Sequence, residues 1–542
     1  MKIDALWTNG RFWTGDPSHP EAHTIAVHAG SIVAMDDDAA QLNPVAKHDL
    51  GGARVIPGLH DAHNHLAHQG HRLLMVDLRG VRSLDALYDA LAERAANLPI
   101  DAWIKGTGYD QNQLGGEHPT AEALDRAVGG RPCIVEHVSS HMVVVNTIAF
   151  ELAGYPDRRY PDVPGGRVFR DPDGRATGLL QERAMDELRD FTSRPSINEA
   201  VEAIGLASDQ AISYGLTSIT EPGVIASGSL SRKWADIHVY QTASERGLLK
   251  PRMTLMPFHF SLHPIDALEG FRSLDLGIRT GFGDDRLRIG PVKIISDGSL
   301  IGRSAAVHEC YCGEPENLGV MQLDPEELRE AIIAFHRSGW AVATHAIGDR
   351  AIDYVLDAVE EAQKSEPLKV RHRIEHFAIA SDAQVDRCAQ LGIIPVPQGV
   401  FISDFGDGIL ESIGPDRSAG TYRMKSLMNA GMTVPGSTDS PVSDANPFAC
   451  MHALVNRLTA EGQAFGPAEK ITVEEAVRAY THGSAYAVNR EDAVGTLSVG
   501  KLADFVALDH DIFTVDPEGI RDLTATATVI GGELVYEGGR NA

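Results

Sequence analysis

Pro57-Gly58-Leu59-His60-Asp61-Ala62-His63-Asn64-His65 is the stretch that decides the fold. The apolar run Arg54–Leu59 leads into it, and residues two apart on a strand project to the same side. His63 and His65 therefore share one face where that run ends. In a parallel barrel the C-terminal strand ends form the mouth in which chemistry takes place. Two imidazoles converging there are half the donor set of a divalent-metal site. Taken singly, an H-x-H pair is equally compatible with two satisfied core histidines, so the rest of the chain has to decide.

Outward from this stretch, further apolar runs follow at Leu216–Thr220, Arg252–Pro257, Ile289–Ile295, Ala341–His345, Arg373–His376, Ile393–Val396 and Met432–Ser437. Amphipathic stretches such as Pro325–Arg337 and Asp382–Leu391 separate most of them. Eight strand-like runs interleaved with helical patterns predict an α/β fold, a parallel (β/α)8 TIM barrel rather than an open doubly wound sheet. The gap between the first two runs is too long for one helix. Residues 70–208 therefore predict an inserted α+β subdomain, with a helix over Ser83–Leu98 and strands at Cys133–His137 and Met142–Val145. Residues 1–54 and 491–542 both read as short strands broken by turns, which predicts a small β-sandwich closed by the two termini. Residues 55–69 then hold the first barrel strand and 209–490 the remainder of the barrel.

Four more strand ends carry the same kind of chemistry. Lys293 lies in Gly290-Pro-Val-Lys-Ile-Ile-Ser-Asp297, His345 in Ala343-Thr-His-Ala-Ile-Gly-Asp349, and His376 closes Arg373-Ile-Glu-His. Asp439 closes Pro435-Gly-Ser-Thr-Asp. Each has a bland explanation alone, as a core histidine, a snorkelling lysine or a helix-capping aspartate. Packing does not explain why His, Lys or Asp should end five separate strands.

With Asp77-Leu78-Arg79-Gly80, Asp297-Gly298-Ser299 and Gly495…Gly500-Lys501-Leu-Ala-Asp504, these residues resemble the amidohydrolase superfamily, specifically amidohydrolase family 3, which includes N-substituted formamide deformylase-like proteins. The resemblance implies that His63, His65, Lys293, His345 and His376 bind one or two divalent metal ions, zinc being the usual one. It makes Asp439 both a metal ligand and the proton shuttle. A lysine ammonium has three donors and no acceptor, so the implied ligand at Lys293 is its carboxylated form, bridging two metals. The implied reaction is hydrolysis of a non-peptide carbon–nitrogen bond, in an amide, N-substituted formamide, cyclic imide or ureide, by metal-bound hydroxide. The alternative enzyme reading is a mononuclear aminohydrolase of a heterocyclic ring. Such members carry a Glu three residues after the fifth-strand His, where this chain has Gly348, and lack a lysine like Lys293. A non-catalytic regulator on the same scaffold would have lost a ligand, and every implied ligand is present.

The resemblance also places a catalytic residue at His141, in Ser140-His141…Asn146, as a partner of the substrate carbonyl; a buried histidine between two strands is the competing reading. Arg303, Trp103, Tyr109 and Phe401 are expected to bind substrate, with Tyr311 and Phe405 nearby, although aromatic residues in such loops are also ordinary packing. Glu182, Asp349 and Arg350 are weaker candidates, and the last two can simply pair at a helix start.

Composition excludes several other classes. The 542 residues hold 48 basic and 75 acidic side chains, a net charge of −27, which leaves no basic stripe for nucleic acid. No apolar run reaches the ~18 residues of a membrane span, so the expected partner is a small-molecule substrate. Five cysteines make no disulfide framework, Cys310-Tyr311-Cys312 lacks the spacer of a zinc hairpin, and the first residues do not form a secretory signal. A cytoplasmic protein is the expectation, and a homodimer the commonest assembly.

Overall fold

Leu59–Asp61, the strand that launches His63 and His65, is the edge of a four-stranded parallel sheet. The computed structural model describes residues 2–137, 142–188, 196–224, 236–265 and 270–538. Contacts divide the chain into one unit of residues 1–66, 207–226 and 236–542, and another of 67–206 and 227–235.

In the first unit, the sheet runs in the order Leu287–Ile289, Arg252–Pro257, Leu216–Val224, Leu59–Asp61, all parallel. A second parallel sheet runs Val292–Ile295, Val342–Ala346, Arg373–His376, Ile394–Val396. These strands are buried almost throughout, as expected of parallel strands covered on both faces. The helices between them begin on local signals. Asp324 accepts from Glu326 N at 2.9 Å, with Pro325 at the first helical position, and the helix Pro325–Arg337 buries Leu328, Ile332 and Phe335. Ser381 and Gln384 form a capping box for Asp382–Gln390.

Three expectations need correction. The run Arg54–Leu59 is two strands: Arg54–Pro57 joins the terminal sheet, and Leu59–Asp61 the parallel one. Gly58 separates them, packed so closely that a Cβ would meet Thr217 Oγ1 at 2.2 Å. The run Ile289–Ile295 is likewise divided into Leu287–Ile289 and Val292–Ile295 at Gly290-Pro291, because proline has no N–H to give a ladder. Met432–Ser437 belongs to no ladder. The segment 436–440 is tied to the first strand by separate bonds, Ala62 N to Gly436 O (3.0 Å), Asp439 N to His63 O (2.7 Å) and His65 N to Ser440 O (2.8 Å). The ladders thus form two four-stranded sheets and not one eight-stranded sheet.

Both chain ends build two further sheets of this unit. Lys2–Thr8 pairs with Ile25–His28 and Asn43–Asp49, with Ser31–Met35 at the edge. A six-stranded sheet runs Glu533–Glu537, Ala525–Ile530, Phe505–Leu508, Arg54–Pro57, Arg11–Trp13, Glu21–Ala22. Trp7, Phe12, Leu497, Phe505 and Val529 share one core, with the Phe505 ring edge-on to Trp7 (5.2 Å) and to Phe12 (5.6 Å).

The second unit is an α/β layer. Its sheet runs Gly166–Arg170, Ala176–Glu182, Met142–Val145, Cys133–His137, Ile104–Tyr109, Val76–Asp77. The helix Leu84–Ala96, capped by Ser83, buries Leu87 and Leu91 in its core. Among the described residues, no helix is long and apolar enough to cross a membrane.

Candidate metal centre

Asp61 pins the loop that carries the histidines. Fully buried, it accepts from His63 N (3.1 Å), Asn64 Nδ2 (3.0 Å), Thr438 N (3.1 Å) and Thr438 Oγ1 (2.5 Å). The ends of two distant segments are thereby held together, and Asp439 follows Thr438 directly. Asp439 has φ 58°, a left-handed backbone that a short polar residue tolerates. Its Oδ1 lies 3.3 Å from His63 Nε2 and 3.2 Å from His65 Nε2. The ligand atoms of His63, His65 and Asp439 all fall within 4.8 Å of one another.

The fit of this trio to a cation can be read from one atom. Asp439 Oδ1 is buried and, among the described residues, has no hydrogen-bond partner of acceptable geometry, although two imidazole nitrogens are close. A buried carboxylate oxygen and two ring nitrogens so close together gather three potential ligand atoms around one point. Burial pushes the Asp439 carboxyl up, but His63, His65 and His376 outweigh it and hold the group well below the usual carboxylate range. Asp439 is therefore an anion when a cation arrives.

His376 and His345 stand beside the trio. The His376 ring centroid is 5.1 Å from that of His63 and 4.4 Å from that of His345. His376 Nδ1 bonds Gln398 Oε1 at 2.7 Å, and His345 Nε2 bonds Gly298 O at 3.0 Å. Burial and the charge of Lys293 push His345 down to about 3, and burial and His345 depress His376. Both rings are neutral at pH 7, the form that ligates metals. His376 and Phe377 both have positive φ, 73° and 42°, a strained turn where the strand ends. Lys293 is buried on Val292–Ile295, and its charge acts on His345, His376 and Glu375.

Several residues behind the ligands escaped sequence reasoning. Glu375 Oε2 is hydrogen-bonded to His63 Nδ1, and Arg373 grips the same carboxylate through Nε (2.8 Å) and Nη2 (2.9 Å). Glu221 Oε1 lies 3.4 Å from His65 Nδ1, while its Oε2 accepts from Tyr240 Oη at 2.5 Å. Asp297 accepts from Ile347 N (3.1 Å), Gly348 N (2.9 Å) and Ala306 N (3.0 Å); burial raises it to about 7 against those bonds. A signal for one pair existed. Arg373 and Glu375 are two apart on a buried strand, so they share a side and are tolerable there only together.

The remaining candidates fall in different places. Phe401 is buried with its ring parallel to His376, 6.4 Å between centroids, and Phe405 meets it edge-on at 5.1 Å. Arg303 is paired with Glu314 at 2.7 Å. Tyr311 donates to Ala305 O at 2.9 Å and is packing. In the other unit, Tyr109 is fully buried with its hydroxyl bonded to His118 Nδ1 (3.0 Å), and Trp103 packs half-buried against that unit's core. Asn146 caps the helix Thr147–Leu152, accepting from Cys133 N and Ala149 N. Glu182 ends a strand of that unit. His141 lies outside the described residues. Asp349 and Arg350 do not pair side chain to side chain: Asp349 Oδ1 accepts from His308 N and Arg350 N, and Arg350 Nη2 donates to Leu318 O. Cys310 and Cys312 are free thiols.

Residues 48–536 match the family model described as amidohydrolase family. The chain is 32% identical over 547 residues to Protein LONG AFTER FAR-RED 3 of Arabidopsis thaliana, covering 98% of this chain and 91% of that one. It is 26% identical to N-substituted formamide deformylase of Arthrobacter pascens, covering 98% of each. A crystal structure of a metal-dependent hydrolase from Pyrococcus horikoshii is similar at a TM-score of 0.76 and 27% identity, over 95% of this chain and 99% of that one. A match of that extent agrees with the motifs that end the strands, and the chain belongs to the amidohydrolase family, hydrolases of carbon–nitrogen bonds other than peptide bonds.

Proposed function

We propose that the protein is a metal-dependent amidohydrolase of a small amide, with N-substituted formamides and cyclic imides or ureides as the substrate classes to try first. The observation that carries this reading is the convergence of His63 Nε2, His65 Nε2 and Asp439 Oδ1, buried and within reach of one ion. A divalent ion held there, with zinc the first candidate and with His345, His376 and a carboxylated Lys293 as a second position, would acidify water and polarise the scissile carbonyl. The chain's own residues supply the proton traffic. Asp439 is anionic and faces the reacting centre, so a carboxylate oxygen can take the proton of the attacking water and return it to the departing nitrogen. His345 and His376, kept neutral by burial, cannot compete for that proton. Phe401, stacked beside His376, offers an apolar wall for the substituent next to the cleaved bond. The N-substituted formamide deformylase relative supports the choice of formamides.

The scaffold of this reading is a closed (β/α)8 barrel with an inserted subdomain and a terminal β-sandwich. Support for closure comes from the bonds of 62–65 to 436–440 on one side, and from the Phe258–Lys293 bridge that links the two parallel sheets on the other.

Metal analysis and a product assay test the proposal together. The purified protein is expected to hold one to two equivalents of divalent metal, to release amine or formate from a member of the substrate panel, to lose that activity with a chelator and regain it with zinc or manganese. An active preparation free of metal overturns the reading.

A further inference from the structure

A neutral imidazole has one nitrogen that donates and one that accepts, and a metal can take only the acceptor. Which nitrogen of His63 is free is therefore a matter of what faces the other. Its Nδ1 faces Glu375 Oε2, and its Nε2 faces the metal position beside Asp439. Glu375 is fully buried. Arg373 donates two bonds to it, one to each carboxylate oxygen, at 2.8 and 2.9 Å, which fixes the carboxylate as an acceptor facing His63. The guanidinium is itself fixed: Nη2 also donates to Ala62 O at 2.8 Å, on the residue before His63. Arg373, Glu375 and His63 thus form a closed chain of contacts between the strand Arg373–His376 and the loop after Leu59–Asp61. Glu221 stands on the corresponding side of His65, 3.4 Å from its Nδ1.

We infer that Glu375, clamped by Arg373, is a positioning residue that keeps the proton of His63 on Nδ1 and so presents the Nε2 lone pair to the metal. The inference rests on the metal reading given above for the function of the Nε2 lone pair, and not for the location of the proton. Glu375 touches no reacting atom in this account. Its effect is on the affinity and orientation of one ligand, and partners of this kind change metal affinity by roughly 10–100-fold when removed.

Two measurements test it. Chelator competition should find zinc bound 10–100-fold more weakly by Glu375→Gln than by the unaltered protein, and by an intermediate factor in Glu375→Asp, which keeps the charge but shortens the reach. A folded Glu375→Gln within twofold of the unaltered zinc affinity overturns the inference. Because glutamine leaves the buried Arg373 charge unmatched, Arg373→Met/Glu375→Gln removes both charges and carries the same expectation and the same overturning result if the single variant does not fold. The second measurement needs no variant. The 15N shifts of the His63 ring in metal-free protein should show a protonated Nδ1, and an unprotonated Nδ1 overturns the inference. Failure of the unaltered protein to bind zinc would instead count against the metal reading, while the location of the Nδ1 proton would still be decided by the ring shifts.

Discussion

Asp439 combines a left-handed backbone, a buried oxygen with no hydrogen-bond partner among the described residues, and a carboxyl held well below the usual carboxylate range. The backbone makes it a clean site for substitution, because asparagine is among the few residues that tolerate positive φ. Asp439→Asn keeps one oxygen as a donor to a cation and removes the ability to carry a proton near neutral pH. Metal content is expected to stay near that of the unaltered protein while kcat falls by at least ~10²-fold, the usual scale of general acid–base catalysis. Parallel metal analysis and circular dichroism separate this outcome from loss of the site or the fold. Turnover near that of the unaltered protein would remove Asp439 from proton transfer. Lys293 differs in kind, since its charge depresses both His345 and His376. As an ammonium it would repel a cation, whereas as a carboxylated anion it would attract one.

At the scale of elements, legibility followed the strength of the local pattern. Arg252–Pro257, Arg373–His376 and Pro325–Arg337 have the bounds that their apolar runs and amphipathic spacing suggest. Strands with a weak pattern did not announce themselves: Asn43–Asp49 carries Asn, Lys, His and Asp and is a strand only because Lys2–Thr8 pairs with it. The division at Gly290-Pro291 was written in the sequence, but the apolar residues on either side hid it. The candidate ligands stood out because they lie within or just after apolar runs. Glu221, Gln398 and Asp297 did not, because each acts on a residue from another strand or loop, a distance that spacing does not encode. The loop after Val342–Ala346 shows how such contacts hold the backbone next to His345, a proposed ligand. Asp297 Oδ2 accepts from both Ala306 N and Gly348 N, which leaves no room between them: a Cβ on Gly348 would meet Ala306 O at 1.9 Å. Its φ of −77° suits any residue, so the obstacle is purely steric. Gly348→Ala is therefore expected to cost about 1–3 kcal/mol in urea unfolding, the scale of overpacking. It should also weaken metal retention by displacing His345, three residues earlier. An unchanged unfolding midpoint would show that the two loops are free to part.

For the molecule as a whole, the buried histidines set a direction for acid stability. His60, His71 and His372 are each pushed down to about 3, chiefly by burial, from an ordinary 6.5. His372 shows why the neutral form is required. Val342 N–H donates to its Nδ1 at 3.1 Å, so its proton sits on Nε2 and goes to His336 Nδ1 at 2.8 Å, leaving His336 Nε2–H to donate to Glu366 O at 2.6 Å. Every ring nitrogen of the pair is satisfied by one proton per ring, and an added proton would break a bond inside a buried chain. Between pH 6.5 and 3 the unfolded chain binds protons at these three histidines that the native protein refuses, so stability is present above 6.5 and falls as pH drops through that window. Asp297 acts oppositely: raised to about 7 from 3.8, it keeps a proton that the unfolded chain gives up, and its cost shrinks as pH falls. Asp61 and Asp404 are raised as well, but His118, His259, His452 and His482 are also pushed down by burial, so depressed histidines outnumber the opposing carboxyls and unfolding takes up protons. Each net proton is worth ~1.4 kcal/mol per pH unit. The melting temperature measured by calorimetry is therefore expected to fall steadily from pH 7 to pH 4.5, and a flat or rising profile would mean that these rings are protonated inside the folded protein.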